Sequence, residues 1–397
     1  MKISEGNIEQ IQNFVQDHLH EDPAQLLLKY QNKVDFDLKF AVQQVAARQK
    51  VKSKLPTWAS DPRLLFPVSI SLEQCSSEIT AKYKADFLKG KRLIDLTGGF
   101  GVDTYFLSEH FEEAVYLERN AALGEIASHN FSLLAGEKIR CVTGDSLENL
   151  RLENSVFDWI YLDPARRGDH NQKLYKLSDC EPDVVENWEL LSQSANNIMI
   201  KTSPMLDIKA ALDELPEVNE VMVISVKNEV KEVVLVQRQA AAKDQAPIIN
   251  CINLTGNGEQ VFQFDFPKEE NAKASFGTVV KYIIEPNASI MKAGGFKSFS
   301  EHFGLAKLHP NSHLYTSSTL PESIPGRVFQ VVEELKPDRK VFKRFFPSGK
   351  VNISTRNYPL KPEEIKKKFR LQDGGDDFLI GTTTSDGKPR LFLCKKH

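Results

Sequence analysis

The run Asp95-Leu96-Thr97-Gly98-Gly99-Phe100-Gly101-Val102-Asp103 places three glycines between an apolar strand pattern, RLIDL at 92–96, and a helical pattern that starts at 103. Glycine lets a chain turn sharply and lets a ligand approach the backbone closely. The start of a helix adds N–H groups without partners of their own. Two ligand classes use such a turn. Nicotinamide dinucleotides want GxGxxG, with the last glycine packing helix on strand. Here GGFG is followed by Val102, Asp103 and Thr104, so that match fails. An acid at the strand end, Asp95, suits instead a nucleoside that carries an ammonium, which is the chemistry of S-adenosylmethionine. The alternative is a tight turn with no ligand.

Three more acids turn this into a pattern. Glu118 ends the strand AVYLE, 17 residues after Gly101, close to the ~20-residue spacing at which an acid meets ribose hydroxyls. Asp145 follows IRCV in Thr143-Gly144-Asp145-Ser146, where a carboxylate can accept from an adenine amine. Asp163 ends FDWIYLD, and Pro164 forces it into an extended conformation. Four successive strands thus end in an acid at the carboxyl edge, where open α/β sheets bind ligands. The residues expected at the cofactor are Asp95, Thr97, Gly98, Gly99, Gly101, Asp103, Glu118, Arg119, Asp145 and Ser146. Those expected at the reacting group are Asp163, Pro164, Ala165 and Arg166, with Arg167 beside them. The extended segment would present Asp163 and the carbonyls of Pro164 and Ala165 at the sheet edge beside the cofactor. No other general base stands out. None is required if an aligned neutral amine attacks first and loses its proton later. No metal is expected: the five cysteines form no CxxC pair, and His302, His309 and His313 lack carboxylates at ligand spacing.

These residues need a sheet to hold them. Strand patterns alternate with helical ones at 103–110, 120–134 and 183–194, which implies βαβ units and a mainly parallel sheet. EVMVISV (220–226) and EVVLVQR (232–238) are too close for a crossover helix and should pair antiparallel. Before the sheet, residues 1–77 read as a helical domain, with Asp22-Pro23 opening one helix and Ser76 or Ser77 capping another that contains Tyr83 and Lys84. After the 78–240 domain, residues 241–325 suggest a small α+β unit with IINCINL, QVFQFDF and TVVKYIIEP as strands and a helix near 286–303. Residues 326–397 suggest another, with VFQVVEEL, KVFKRFFP and KVNISTR, a helix at 361–369 and a closing hairpin through SDGK.

Composition bounds the partners. The 397 residues are 41% hydrophobic and 26% charged, which is globular. No run approaches the ~18 apolar residues of a membrane span. The start, MKISEGNIEQ, lacks a signal region, and a reducing cytoplasm is expected. The net charge of −3 divides unevenly: residues 326–397 carry +8 and the remainder −11. A basic terminal segment suggests a module that faces a polyanion, with Lys366, Lys367, Lys368 and Arg370 as phosphate contacts. The alternative is a solvated lysine-rich face.

DLTGGFGVD, YLERN, GDS and LDPAR resemble the cofactor and catalytic motifs of class I S-adenosylmethionine-dependent methyltransferases. LDPAR is similar to the D/N-P-P-Y/F/W motif of enzymes that methylate exocyclic amines of nucleobases, with Arg166 at the aromatic position. An arginine there can stack on a base or hold a phosphate. LDPAR also resembles the RNA uracil-5 methyltransferases. Their cysteine nucleophile is replaced by Thr202 in Lys201-Thr202-Ser203-Pro204, which excludes that mechanism. The full layout resembles a bacterial methyltransferase family with a ferredoxin-like and a THUMP-like domain after the catalytic one. Gly326-Arg327-Val328-Phe329, Thr355-Arg356-Asn357-Tyr358-Pro359-Leu360 and Asp373-Gly374-Gly375 carry that likeness. The resemblance implies a seven-stranded Rossmann-like methyltransferase sheet, an N-terminal helical domain and small C-terminal α+β domains. It also implies S-adenosylmethionine as cofactor and structured RNA as partner, with a nucleobase nitrogen as acceptor. The alternatives are an RNA-binding protein with an inactive methyltransferase domain, or a methyltransferase for a small molecule or protein.

Overall fold

The computed structural model describes residues 5–166, 176–242 and 245–397. The chain forms two compact units, Met1–Glu217 with Leu235–Ala241, and Val218–Val234 with Ala242–His397.

The first unit opens with helices α1 (Glu5–Asp17), α2 (Pro23–Tyr30), α3 (Leu38–Val51), α4 (Pro56–Ser60), α5 (Ser69–Gln74) and α6 (Glu78–Ala85). As the sequence predicts, Asp22 caps α2, accepting from the Ala24 and Gln25 amides, and Pro23 occupies the first turn. Ser77, not Ser76, caps α6. Ile11, Phe14, Leu26, Phe40, Val45 and Leu65 belong to the buried apolar core of these helices. Arg48 of α3 is buried, and its guanidinium donates to the carbonyls of Ala59, Asp61, Pro62 and Leu64 at 2.7–3.1 Å. That closes the loop between Trp58 and Phe66, whose rings both lie against Phe100 in the glycine turn.

The parallel strands then alternate with helices: β1 (Arg92–Asp95), α7 (Val102–Ser108), β2 (Glu113–Glu118), α8 (Ala121–Leu134), β3 (Ile139–Thr143), α9 (Ser146–Leu152) and β4 (Phe157–Leu162). A short pair follows, β5 (Ala165–Arg166) and β6 (Cys180–Glu181), then α10 (Trp188–Ser194), β7 (Ala195–Thr202), α11 (Ile208–Glu214), β8 (Glu220–Val226) and β9 (Glu229–Arg238). Lys227 and Asn228, with φ of 50° and 66°, make a two-residue turn between β8 and β9. This is a hairpin with a shorter loop than KNEVK suggests. The expected seven strands are present in the order β3-β2-β1-β4-β7-β9-β8. The sheet does not stop there. β10 (Ile248–Thr255) pairs parallel to β8, and β11 (Gly258–Phe264) pairs antiparallel to β10, which makes nine strands. β8 is buried through its middle five residues; left as an edge it would expose an apolar ladder, and β10 covers it.

The second unit also holds an eight-stranded sheet. Its elements are α12 (Phe266–Asn271), β12 (Ser275–Phe276), β13 (Tyr282–Pro286), α13 (Ala288–Ala293), α14 (Phe296–His302), β14 (Ala306–Lys307), β15 (Tyr315–Ser317), β16 (Gly326–Leu335), α15 (Arg339–Phe345), β17 (Asn352–Arg356), α16 (Pro362–Phe369), β18 (Asp377–Thr383) and β19 (Pro389–Lys396). The strand order is β12-β14-β15-β13-β16-β19-β18-β17. SDGK joins β18 and β19 antiparallel, as predicted. KVFKRFFP forms helix rather than strand: Asp338 caps it, and Phe342 and Phe346, four residues apart, enter a core with Ile365, Leu379 and Leu393. Among the described residues, no helix is long and apolar enough to cross a membrane.

Arg48→Met should strand four carbonyls and destabilise the protein by about 3 kcal/mol or more. Thermal unfolding followed by circular dichroism checks this, and an unchanged midpoint would show that the loop does not depend on Arg48.

Candidate active site

The glycine turn is held from three sides. Asp95 closes β1 and is almost wholly buried. Its Oδ1 accepts from the Thr97 amide at 2.9 Å and its Oδ2 from the Thr104 hydroxyl at 2.5 Å, so one carboxylate ties the turn to the first turn of α7. Burial pushes this carboxyl up to about 7, against the hydrogen bonds that favour its charged form. From β2, the Gly98 amide donates to the Leu117 carbonyl, the Gly99 amide to Glu118 Oε2 at 2.9 Å, and the Tyr116 hydroxyl to the Gly99 carbonyl at 2.6 Å. The Tyr116 ring lies so close that a Cβ on Gly98 would stand 2.2 Å from it. Gly101 has φ +86°, and a Cβ there would stand 2.4 Å from the Phe131 ring. These two positions admit only glycine, for close approach in one case and for backbone conformation as well in the other. At Gly99, by contrast, an added Cβ would meet nothing nearer than 3.7 Å, so that side of the turn is open.

Glu118 and Asp145 stand at the ends of β2 and β3, as the sequence predicts. Glu118 Oε1 accepts from the Asn120 amide at 2.7 Å, so each of its oxygens has one backbone donor and a second lone pair to spare. Asp145 is exposed and caps α9 through the Glu148 amide, with Ser146 the first residue of that helix. Arg119 is exposed and paired with Glu181. An open glycine turn, a carboxylate with spare acceptor sites on the next strand and an exposed carboxylate on the third fit a ligand with an ammonium, a ribose diol and an adenine amine.

Asp103 turns inward. Its Oδ2 accepts from Ser76 Oγ at 2.6 Å and from Tyr161 OH at 2.7 Å, and its Oδ1 pairs with the fully buried Lys84 at 3.2 Å. Desolvation raises this carboxyl, but Lys84, Lys201 and the two hydroxyls outweigh it and hold the group below the usual carboxylate range. Asp163 follows β4. Its amide donates to Thr97 Oγ1 at 2.5 Å, and its Oδ2 is bonded by Lys201 Nζ. Pro164 is buried and Ala165 exposed; Ala165 and Arg166 pair with Glu181 and Cys180. The side chain of Arg166, and Arg167 as a whole, lie outside the described residues.

Ser76, Lys84, Tyr161 and Lys201 escaped sequence reasoning. Lys201 alone had a readable signal: it ends NIMIK on the strand next to FDWIYLD, and the parallel register that sets Leu162 beside Ile200 sets Asp163 beside Lys201. A cavity of about 560 Å³ bounded by Trp58, Arg63, Lys82, Tyr105 and Glu109 contains none of the predicted site residues.

Across its full length the chain is 34% identical to a crystal structure described as a "putative methyltransferase" from Porphyromonas gingivalis W83, with 100% of both chains covered and a TM-score of 0.89. The chain belongs to the class I S-adenosylmethionine-dependent methyltransferases with a C-terminal THUMP-like domain. S-adenosylmethionine is accordingly the cofactor of this methyltransferase. Residues 282–325 match a ferredoxin-like domain model and residues 326–396 a THUMP domain-like model. Curated relatives from two strains of Mycobacterium tuberculosis, both described as uncharacterized S-adenosylmethionine-dependent methyltransferases, are 24% identical over 306 residues, 76% of this chain and 80% of theirs.

Lys84→Met should cost about 3 kcal/mol, because it takes from the buried Asp103 its directly paired cation and leaves only the more distant charge of Lys201; chemical denaturation measures it. The two buried acids should also act oppositely with pH. The stability that Asp103 contributes is present above the ordinary carboxylate pKa and is lost on acidification. Asp95, shifted up, binds its proton more tightly in the folded state, so its contribution falls as pH climbs from about 4 to about 7. Asp95→Asn should flatten that decline in a plot of denaturation midpoint against pH. An unaltered slope would mean that Asp95 is not the group responsible.

Proposed function

We propose that this methyltransferase modifies a nucleobase nitrogen in structured RNA. The observation that carries the reading is the Asp163–Lys201 pair, set beside the glycine turn on the Leu162-Asp163-Pro164-Ala165 segment. When bound, S-adenosylmethionine supplies a methyl group on a sulfonium, an electrophile that a neutral amine can attack. Thr97, Gly98, Gly99 and Gly101 would hold the methionine end, with Asp95, buried and bonded to Thr97 and Thr104, fixing that turn from beneath rather than reaching the ammonium as the sequence suggests; Glu118 would hold the ribose and Asp145 the adenine. Asp163 would orient the acceptor. Lys201 holds its Oδ2 and Thr97 holds its amide, and among the described residues its Oδ1 takes no hydrogen bond. That oxygen can accept an N–H of the base, aim the nitrogen lone pair and receive the proton as it leaves. Pro164 restricts the Asp163 backbone, and the β5–β6 pairing restrains Ala165 after it.

Support for RNA comes from the THUMP-like match and from the charge of +8 on residues 326–397. On α16, Ile365 and Phe369 are buried and Lys367 and Lys368 are exposed, as is Arg370 at the C-cap. Lys366 is occupied by Glu363 and Asp373, so it offers less to a phosphate than the sequence suggests.

Mass spectrometry of nucleosides from RNA of cells with and without the gene should reveal one methylated nucleoside that the gene adds. Complementation with Asp163→Ala should fail to restore it, with a rate loss on the order of 100-fold or more, while the fold is kept. A mark restored by that variant would remove Asp163 from the reaction. Calorimetry should show S-adenosylmethionine bound by the wild type and bound at least about tenfold more weakly by Glu118→Ala, a loss of about 1.4 kcal/mol. Equal affinity would deny Glu118 its ribose role. Cofactor binding with no gene-dependent mark in any RNA would point instead to an RNA-binding protein that has lost turnover.

A further inference from the structure

Two arginines from the two C-terminal motifs that no other role absorbs, Gly326-Arg327-Val328-Phe329 and Thr355-Arg356-Asn357, meet on one carboxylate. Glu285 of β13 is buried, its side chain 3% exposed. Arg327 of β16 is its cross-strand neighbour and holds Oε2 through Nε, at 2.9 Å, and Nη2. Arg356, the last residue of β17, holds Oε1 through Nε at 2.9 Å and Nη2 at 2.8 Å. β17 lies at the far end of the sheet order from β13, so the sheet must curl to bring the two together. Bonds from Ser312 to the Thr383 carbonyl and from Asn357 to His309 close the same side.

One arginine would neutralise Glu285. Two leave a net positive charge, and only the acid is buried: the arginine side chains are 38% and 45% exposed. Both grip the carboxylate by the Nε edge. Among the described residues, the Nη1 groups make no hydrogen bond, which leaves each guanidinium three of its five N–H donors. A guanidinium with its far end free is a fork for two phosphate oxygens.

We infer that Arg327 and Arg356, pre-set by Glu285, form a clamp for a backbone phosphate of the RNA. This rests on the RNA reading above and adds to it a binding site away from the lysines of α16. The pre-setting matters because an arginine already fixed in position loses less freedom when the phosphate arrives.

The test is fluorescence anisotropy of the full-length protein with a fluorescein-labelled hairpin RNA, between about 50 and 200 mM salt. Arg356→Gln leaves Glu285 paired with Arg327, so the fold should survive. It should weaken binding several-fold and lower the slope of log affinity against log salt by about 0.7–0.9. The triple variant Glu285→Gln, Arg327→Gln, Arg356→Gln changes the net charge by the same amount without stranding an acid, and should weaken binding further and lower the slope at least as far. Lys33→Gln, an exposed residue of the first unit with an equal charge change, should leave the slope unaltered. If the wild type binds and both arginine variants keep its affinity and slope, the clamp is wrong and the triad only closes the sheet. If the wild type fails to bind at the lowest salt, the RNA reading falls and the clamp with it.

Discussion

Negative charge gathered at the carboxyl edge of a parallel sheet has to be balanced where water cannot reach it. Asp95 and Asp103 flank the glycine turn in the chain, Asp163 is bonded to it through the Thr97 hydroxyl, and the first two are buried. An isolated buried carboxylate is too costly to keep ionised. Each is handled differently. Asp95 has the Thr97 amide and two threonine hydroxyls as donors and, among the described residues, no cation, and its affinity for a proton rises. Asp103 has a buried lysine and two hydroxyls. Asp163 has Lys201 and keeps part of its side chain open. The group best compensated from inside serves the scaffold, and the one left partly open is the one proposed to meet the substrate.

This balance explains why the N-terminal helices matter to a site they do not contain. Ser76 and Lys84 reach Asp103 from the start and the last turn of α6, and Trp58 and Phe66 bracket Phe100. The glycine turn is therefore pinned by ions at one end and aromatic rings at the other. A flexible turn would have to be ordered by each ligand it bound; a fixed one has met that cost during folding.

The same solution recurs in the second unit with the signs exchanged. There a buried acid, Glu285, holds two cations that remain partly in solvent. In the first unit buried cations hold acids. At Asp163 and at Glu285 alike, the buried partner fixes the geometry and the other partner keeps part of its side chain in solvent.

The glycine turn, the acids at the strand ends, the Asp22-Pro23 helix start and the closing hairpin were all legible in the chain, because turn chemistry and the alternation of strand and helix are properties of neighbouring residues. KVFKRFFP was ambiguous, since a short apolar run suits either element until the core it enters is known. The pairing of β10 with β8 was not legible, because nothing local announces which strand edge needs covering. Only the tertiary structure turned Asp103 inward, assigned Ser76 to it rather than to the cap of α6, and brought Arg327 and Arg356 to one glutamate; Lys201 had a local signal, but its bond to Asp163 also needed the register of β4 and β7. The direction of a charged side chain is decided by its partner, and these partners lie from 19 to 71 residues away.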